Sequence, residues 1–504
     1  MHRALTISEI LYATFSYISY DTPHLDVSDN GCTISHNTLT ALAVTCRTFQ
    51  DPALAVRWRG LYGVKPLLLV FPRDLWLFSD DTDGDQDDVE WELARLPSEE
   101  EWIRFERYTS RVRYIVIRTG DLDGVVHVMA ALSMKYLPHP SQLLFPRLQS
   151  LVWAGRGTAG LPLVHLFLPP SLRCLELEFQ GGIQLGVPEM LLLLEHQCPI
   201  FTELRIVGLD DEPHAVAVSR ALETRSWGKL ETLHCGHIDE SALLHLARLP
   251  TLKNLSIHLP PSMSAFVAFK NGFTSLQILN LLVDDIGAII SFLGKITTTA
   301  TAFIIVSHRL RLTFVSGGVK KHFDVTLDIA ALRPLLSFSK LKSVYLDGLC
   351  SFNLNDDTLL ELANAWPQLE KLALNQYTGW KRRSGITFKG LALLLRACPL
   401  LDTLALSLDA IQLSSISLTR PGEGIHNQKI KVINLGDSII ENPAAVALIL
   451  RDLFSSLKYV DAWCSVYGRE EVKSRYKPLW DDVGSHLRIG QNYERGKHGT
   501  AVNR

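Results

Sequence analysis

One hydrophobic pattern, apolar-x-x-apolar-x-apolar, recurs along most of the chain. It stands at Leu148-Leu151-Trp153, Leu172-Leu175-Leu177, Phe201-Leu204-Ile206, Leu230-Leu233-Cys235, Leu252-Leu255-Ile257 and Leu276-Leu279-Leu281. It resumes at Leu341-Val344-Leu346 and continues through Leu369-Leu372-Leu374, Leu401-Leu404-Leu406 and Ile430-Ile433-Leu435 to Leu457-Val460-Ala462. Weaker copies at Val112-Ile115-Ile117 and Ala300-Phe303-Ile305 open the series and fill its gap. The last two anchors of each copy lie two residues apart, so both face one side of a short strand. Proline often precedes the first anchor by two positions, as at Pro146, Pro170, Pro199, Pro250, Pro367 and Pro399. There it ends the preceding helix without interrupting a sheet. Between strands the period becomes helical: Asn442-Pro443 is an N-cap followed by proline at the first helical position, and 356–366 and 387–397 carry one apolar face each.

The eleven strong copies are 22 to 32 residues apart within their two runs, the period of leucine-rich repeats. The expected fold class is therefore α/β: parallel strands on a concave face with helices outside, from about residue 108 to 465. Residues 1–65 lack the repeat and show three short helical stripes instead. Ile7, Ile10, Leu11, Phe15 and Ile18 form the first and Leu39, Leu42, Ala43 and Cys46 the second, with 21–37 between them as a polar loop. Asp51-Pro52 begins the third, carrying Ala53, Leu54 and Trp58. Residues 66–107 form a linking region with an acidic insertion at 79–90, and 466–504 form a polar tail whose last 15 residues are expected to be poorly ordered.

The segments ALTISEILYATFSYI and TLTALAVTCRTFQDPALAVRWRGL resemble an F-box, in the variant found in fungal F-box proteins. The positions that carry the resemblance are Leu5, Ile7, Glu9, Ile10, Leu11, Phe15, Leu39, Leu42, Cys46, Phe49, Pro52, Leu54 and Trp58. Ser8 stands where the box usually has a proline, and the 20–37 loop is longer than usual. The resemblance implies that the helical unit binds a Skp-family adaptor, and through it a cullin–RING ubiquitin ligase. Leu5, Ile7, Glu9, Ile10, Leu11, Phe15, Leu39, Leu42, Pro52, Leu54 and Trp58 would form that contact. The repeats would then recruit a protein substrate. The alternatives are a repeat scaffold with no ligase role and a regulator of another enzyme, such as a GTPase, acting through Arg205 or Asn280.

Residues that flank the inward anchors are expected to point to the concave face. They include Glu176, Glu178, Glu203, Arg205, His234, His258, Asn280, Tyr345, Asp347, Lys371, Asn375, Asn434, Asp461 and Trp463. Ten of these are candidate substrate contacts: Glu178, Arg205, His234, His258, Asn280, Tyr345, Asp347, Lys371, Asn375 and Trp463. The larger set holds five acids against two bases, which fits a protein ligand better than a phosphate backbone. With 50 Lys plus Arg against 53 Asp plus Glu, the chain of 504 residues is no general nucleic-acid binder, though a local basic patch is compatible with that balance.

Neither a membrane span nor a signal peptide is expected, and the eight scattered cysteines fit reduced thiols in the cytosol or nucleus. The acidic run at 79–90 nearly fits a calcium loop, but Ser79 occupies the first ligand position and Gln86 the apolar one, so a solvated insertion is expected. Gly155-x-Gly157-x-x-Gly160 follows a strand, but Leu161-Pro162 comes where a phosphate-binding helix should begin. No nucleophile, metal or cofactor motif stands out, so the chain is expected to be non-enzymatic and free of cofactors.

Overall fold

The computed structural model describes residues 7–18, 29–77, 91–118, 125–137, 139, 142–155, 161–179, 187–208, 212–224, 227–259, 272–283, 292, 302–307, 326–348, 350–413, 424–464, 466 and 469–499. Two compact units divide the chain, 1–242 and 243–504.

The first unit opens with three helices, α1 (Ser8–Ser16), α2 (Asp29–Thr45) and α3 (Arg47–Arg57). Leu11 and Phe15 of α1, Leu39 and Ala43 of α2, and Ala53 and Val56 of α3 form one small core. Phe49 closes it edge-on against Phe15, with ring centroids 5.5 Å apart. Two boundaries differ from the sequence expectation. Helix α2 begins at Asp29, inside the stretch read as a loop, because Gly31 falls in the first turn, where a glycine costs a helix only about 1 kcal/mol. Helix α3 begins before Asp51-Pro52, because the extended backbone of Cys46 ends α2 and starts α3 there, leaving Pro52 inside the helix.

A parallel sheet follows in the first unit. Its strands are Gly60–Tyr62, Tyr114–Ile117, Ser150–Gly155, Cys174–Phe179, Glu203–Val207 and Thr232–His237, in that spatial order. The first of these lies within the range read as wholly helical; its three residues are too few to show an alternation. The linking region holds a short antiparallel ribbon, Trp76–Leu77 with Glu92–Leu93, and helix Glu99–Thr109. Ser98 caps that helix while Glu101 reaches back to the Ser98 N–H at 2.7 Å. Arg95 bridges Glu101 and Asp74, each at 2.8 Å, and holds the Glu101 carboxyl down at about 2.

In the second unit the parallel strands are Asn254–His258, Ile278–Val283, Ala302–Ser307, Ser343–Asp347, Lys371–Leu374, Thr403–Ala405, Val432–Asn434 and Tyr459–Asp461. Within each unit the middle anchors are register partners from one strand to the next. Ile115, Leu151, Leu175, Leu204 and Leu233 are successive register partners in the first unit. Leu255, Leu279, Phe303, Val344, Leu372, Leu404, Ile433 and Val460 are successive partners in the second. Both weak copies are strands of these ladders. The chain is thus a mixed α/β protein with leucine-rich-repeat architecture.

Helices Asp356–Ala365, Phe388–Ala397 and Pro443–Leu453 bury their apolar faces, and Asn442 caps the last by accepting from the Ala445 N–H at 3.1 Å. The polar tail holds an element that its composition did not suggest: Glu470–Gly499 is a helix that buries Trp480, Val483 and Leu487. No helix among the described residues is long and apolar enough to cross a membrane.

Candidate binding surface

Strand alternation sends the anchors to the core and their neighbours to the opposite face. In the first unit that face carries a register row of Val116, Val152, Glu176, Arg205 and His234. Adjacent members stand on strands about 4.8 Å apart. A second row runs through Ala154, Glu178 and Val207, with Val207 43% exposed. Arg205 donates from Nε to Glu203 Oε1 at 2.8 Å, which fixes its guanidinium along the strand. Burial, and then the charge of Arg205, lowers the His234 pKa, so its imidazole is neutral near pH 7. We expect the His234 ring signal in an NMR titration to move at a pH below that of a free histidine. In Arg205→Gln the midpoint should rise, because one of the two causes is gone; an unchanged midpoint would mean that Arg205 does not act on this ring.

In the second unit the corresponding register row contains Ser256, Asn280, Ile304, Tyr345, Ala373, Ala405, Asn434 and Asp461. Lys371 lies in a flanking row beside Ser343 and Thr403, and His258 and Asp347 lie at the opposite flank. Burial raises the Asp347 pKa, with the backbone N–H groups of Tyr377 and Gly348 pulling the other way. Among the described residues, Asp347 Oδ1 and Asn280 Oδ1 have no hydrogen-bond partner. Buried acceptors left this way need donors from water or a ligand. Asn434 Nδ2 reaches Asp461 Oδ2 at 3.2 Å, so this pair is already engaged. Val432 and Tyr459, register partners on the last two strands, are 53% and 52% exposed. The sequence analysis named neither residue, because alternation places many side chains on this face and does not say which stay exposed; tyrosine is among the residues enriched at the energetic centres of protein contacts.

The structure thus places Glu178, Arg205 and His234 on the face of the first unit, and His258, Asn280, Tyr345, Asp347 and Lys371 on that of the second. Asn375 and Trp463 do not belong there. Asn375 is buried, accepts from the Gly348 N–H at 2.9 Å and donates to Gly379 O at 3.2 Å. Trp463 is buried, with Nε1 donating to Ser438 O at 2.8 Å. Each sits past the end of its strand at positive φ, +53° and +63°, where alternation no longer applies and the side chain turns inward.

The helical unit divides its candidate contacts similarly. Ile7 and Ile10 are 43% and 42% exposed, and Glu9 is exposed beside them. Leu11, Phe15, Leu39 and Pro52 are buried, and Leu42 and Leu54 pack against the same core. Trp58 is half-buried between Arg57 and Tyr108. Leu5 lies outside the described residues, as does the acidic run at 79–90. Among the described residues no group of side chains is arranged to hold a metal ion. The described cysteines are free thiols, and burial pushes Cys198 up to about 12 and Cys398 to about 11, so these two are unreactive. The strand before Gly155 belongs to the ladder, and what is described after it is a short 3-10 segment, Leu161–Phe167, which offers no phosphate-binding helix.

No protein-family model matches the chain. No curated protein matches it either. Among solved structures, an internalin (InlF) from Listeria monocytogenes is similar over 72% of this chain and 86% of its own, with 12% identity and a TM-score of 0.38. So distant a likeness says nothing about a partner; the repeat architecture rests on the strand register itself.

Proposed function

We propose that the chain is a non-enzymatic substrate adaptor of a cullin–RING ubiquitin ligase. The three-helix unit binds a Skp-family adaptor, and the open face of the strands binds a protein substrate. The observation that carries this reading is that Ile7, at the N-cap of α1, and Ile10 within it stay exposed while Leu11 and Phe15 of the same helix fill the core. Together with the F-box-like sequence, that is an apolar surface offered to a partner. On the repeats, the unpartnered acceptors of Asn280 and Asp347 and the exposed Val432–Tyr459 pair suit the N–H donors and apolar side chains of a polypeptide. Ligase activity would come from holding a target lysine at high effective concentration, and this requires no reactive group in the adaptor.

The test is co-purification of the full chain with a Skp adaptor. Ile7→Asp/Ile10→Asp should abolish it and leave thermal unfolding unchanged, because both side chains are exposed. Leu11→Asp is unsuitable, since it places a charge in the helical core. A second reading, a repeat scaffold outside the ligase, is favoured by the burial of Leu11, Phe15, Leu39 and Pro52, which withdraws four of the expected contacts. Failure of the folded wild-type chain to bind the adaptor would select that reading.

A further inference from the structure

Beside the helical unit lies a cavity of about 340 Å³ that no part of the adaptor reading uses. Its wall carries four arginines, Arg107, Arg111, Arg113 and Arg147, against one carboxylate, Asp51, with Tyr12 of α1 at its margin. The elements that bring them together are the end of helix Glu99–Thr109, the approach to strand Tyr114–Ile117 and the turn before strand Ser150–Gly155. Asp51 is committed to Arg111, with Nη2 at 2.5 Å from Oδ1. No acid among the described residues pairs with Arg107, Arg113 or Arg147. Arg113 donates only to backbone, from Nη1 to Ser110 O at 3.2 Å and more weakly to Val112 O at 3.4 Å. The backbone of Arg59 stands one ladder position away, its carbonyl accepting the Arg113 N–H at 2.7 Å.

Burial, then the charge of Arg147, lowers the Arg113 pKa; Tyr12 pulls the other way and Arg59 adds a smaller push, so the guanidinium groups repel one another here. The chain as a whole has a net charge of −3, so general basicity does not explain this concentration. Like charges gathered around one concave, solvent-reached site suit an anionic ligand. Guanidinium forks match phosphate oxygens two at a time, and phosphate is the small group dense enough in charge to answer three uncompensated cations. The volume falls at the small-molecule end of ligand pockets and exceeds what a single phosphate fills.

We propose that this cavity binds a small molecule carrying two or more phosphate groups, held by Arg107, Arg113 and Arg147, with Arg111 oriented by Asp51. The proposal is independent of the adaptor reading.

The experiment is calorimetric titration of the full chain with pyrophosphate, orthophosphate and sulfate at one fixed ionic strength. Pyrophosphate should bind saturably at one site, at least about tenfold tighter than orthophosphate or sulfate. Arg107→Gln/Arg147→Gln removes two exposed side chains and should weaken pyrophosphate about a hundredfold with the melting temperature unchanged. Arg113→Gln, with only backbone partners to lose, is the second variant and should weaken it by about tenfold or more. Arg104→Gln, on the same helix but outside the cavity, should leave binding intact. Absence of saturable binding, or affinity unchanged in the folded variants, would overturn the proposal. So would an equal loss in Arg104→Gln, which would mark diffuse attraction. Tighter binding of a singly phosphorylated serine peptide would replace the small molecule with a phosphoprotein.

Discussion

Asp437→Ala is expected to destabilise the second unit by about 3–5 kcal/mol, the usual cost of emptying one side of a buried, hydrogen-bonded charge site. The Asp437 side chain is wholly buried. Its Oδ1 accepts from the Trp380 N–H and the Ser407 hydroxyl, both at 2.7 Å. Its Oδ2 accepts from the Lys381 N–H and Arg469 Nη1, both at 2.8 Å. Four donors from three other segments thus converge on one carboxylate, and its removal strands all of them. The backbone around it is shaped to this purpose. Gly379 lies at φ +66°, and a Cβ there would stand 2.7 Å from Asp437 Cγ. Asn does not rescue the site, because its amide would turn N–H groups toward donors at one oxygen position or the other. Arg469→Ala keeps the three neutral donors but takes the counter-charge from a wholly buried carboxylate, and should cost about 2–3 kcal/mol. In a unit of this size the Ala variant should melt on the order of 10 °C lower. A fall no larger than that of Arg469→Ala would show that water replaces the carboxylate easily and that the cluster is not a structural centre.

That cluster marks where sequence reasoning stops. The strands were legible because each is specified by a two-residue alternation plus one anchor at the turn, and a shift of one residue would expose Leu, Ile and Val together. Even the degenerate copies around Ile115 and Phe303 take their place in register. The loops after the strands carry no such period. Their conformation is set by side chain-to-backbone bonds at Asn375, Asp437 and Ser438, and by residues at positive φ, none of which a hydrophobic pattern encodes.

The candidate surface was legible for the same reason as the strands, and only as far as they extend. Glu178, Arg205, Asn280 and Tyr345 follow from alternation; Asn375 and Trp463 fail because the strand has ended before them. The arginine cavity shows a different limit. Arg107, Arg111 and Arg113 lie within seven residues of sequence, yet Arg147 and Asp51 join them only through the parallel ladder. Charge clusters assembled from distant segments leave no local signature.

The tail is the clearest case of a pattern present but too sparse to recognise, and it carries the second large prediction. Trp480, Val483 and Leu487 fall at helical spacing among polar residues, with Val466 buried before them. Helix Glu470–Gly499 packs these side chains beside helix Pro443–Leu453 and the strands Ile439–Ile440 and Tyr459–Asp461. Trp463 and Trp480 both donate to one acceptor, Ser438 O, at 2.8 and 3.0 Å, and Tyr476 stacks on Trp463 with centroids 5.9 Å apart. A repeat array needs such a cover, because its last strand otherwise offers an unpaired edge and an open core. Trp480→Ala should therefore cost about 3–5 kcal/mol, and Trp480→Phe, which keeps most of the volume and loses the N–H, about 1 kcal/mol. Deleting 470–504 should strip hydrogen-exchange protection from the strands at 432–434 and 459–461 while those at 254–258 and 278–283 keep theirs, since repeats lose stability from an uncapped end inward. Full protection at 459–461 in the truncated chain would mean that the helix is an appendage, and that Trp463 with Ser438 closes the array unaided.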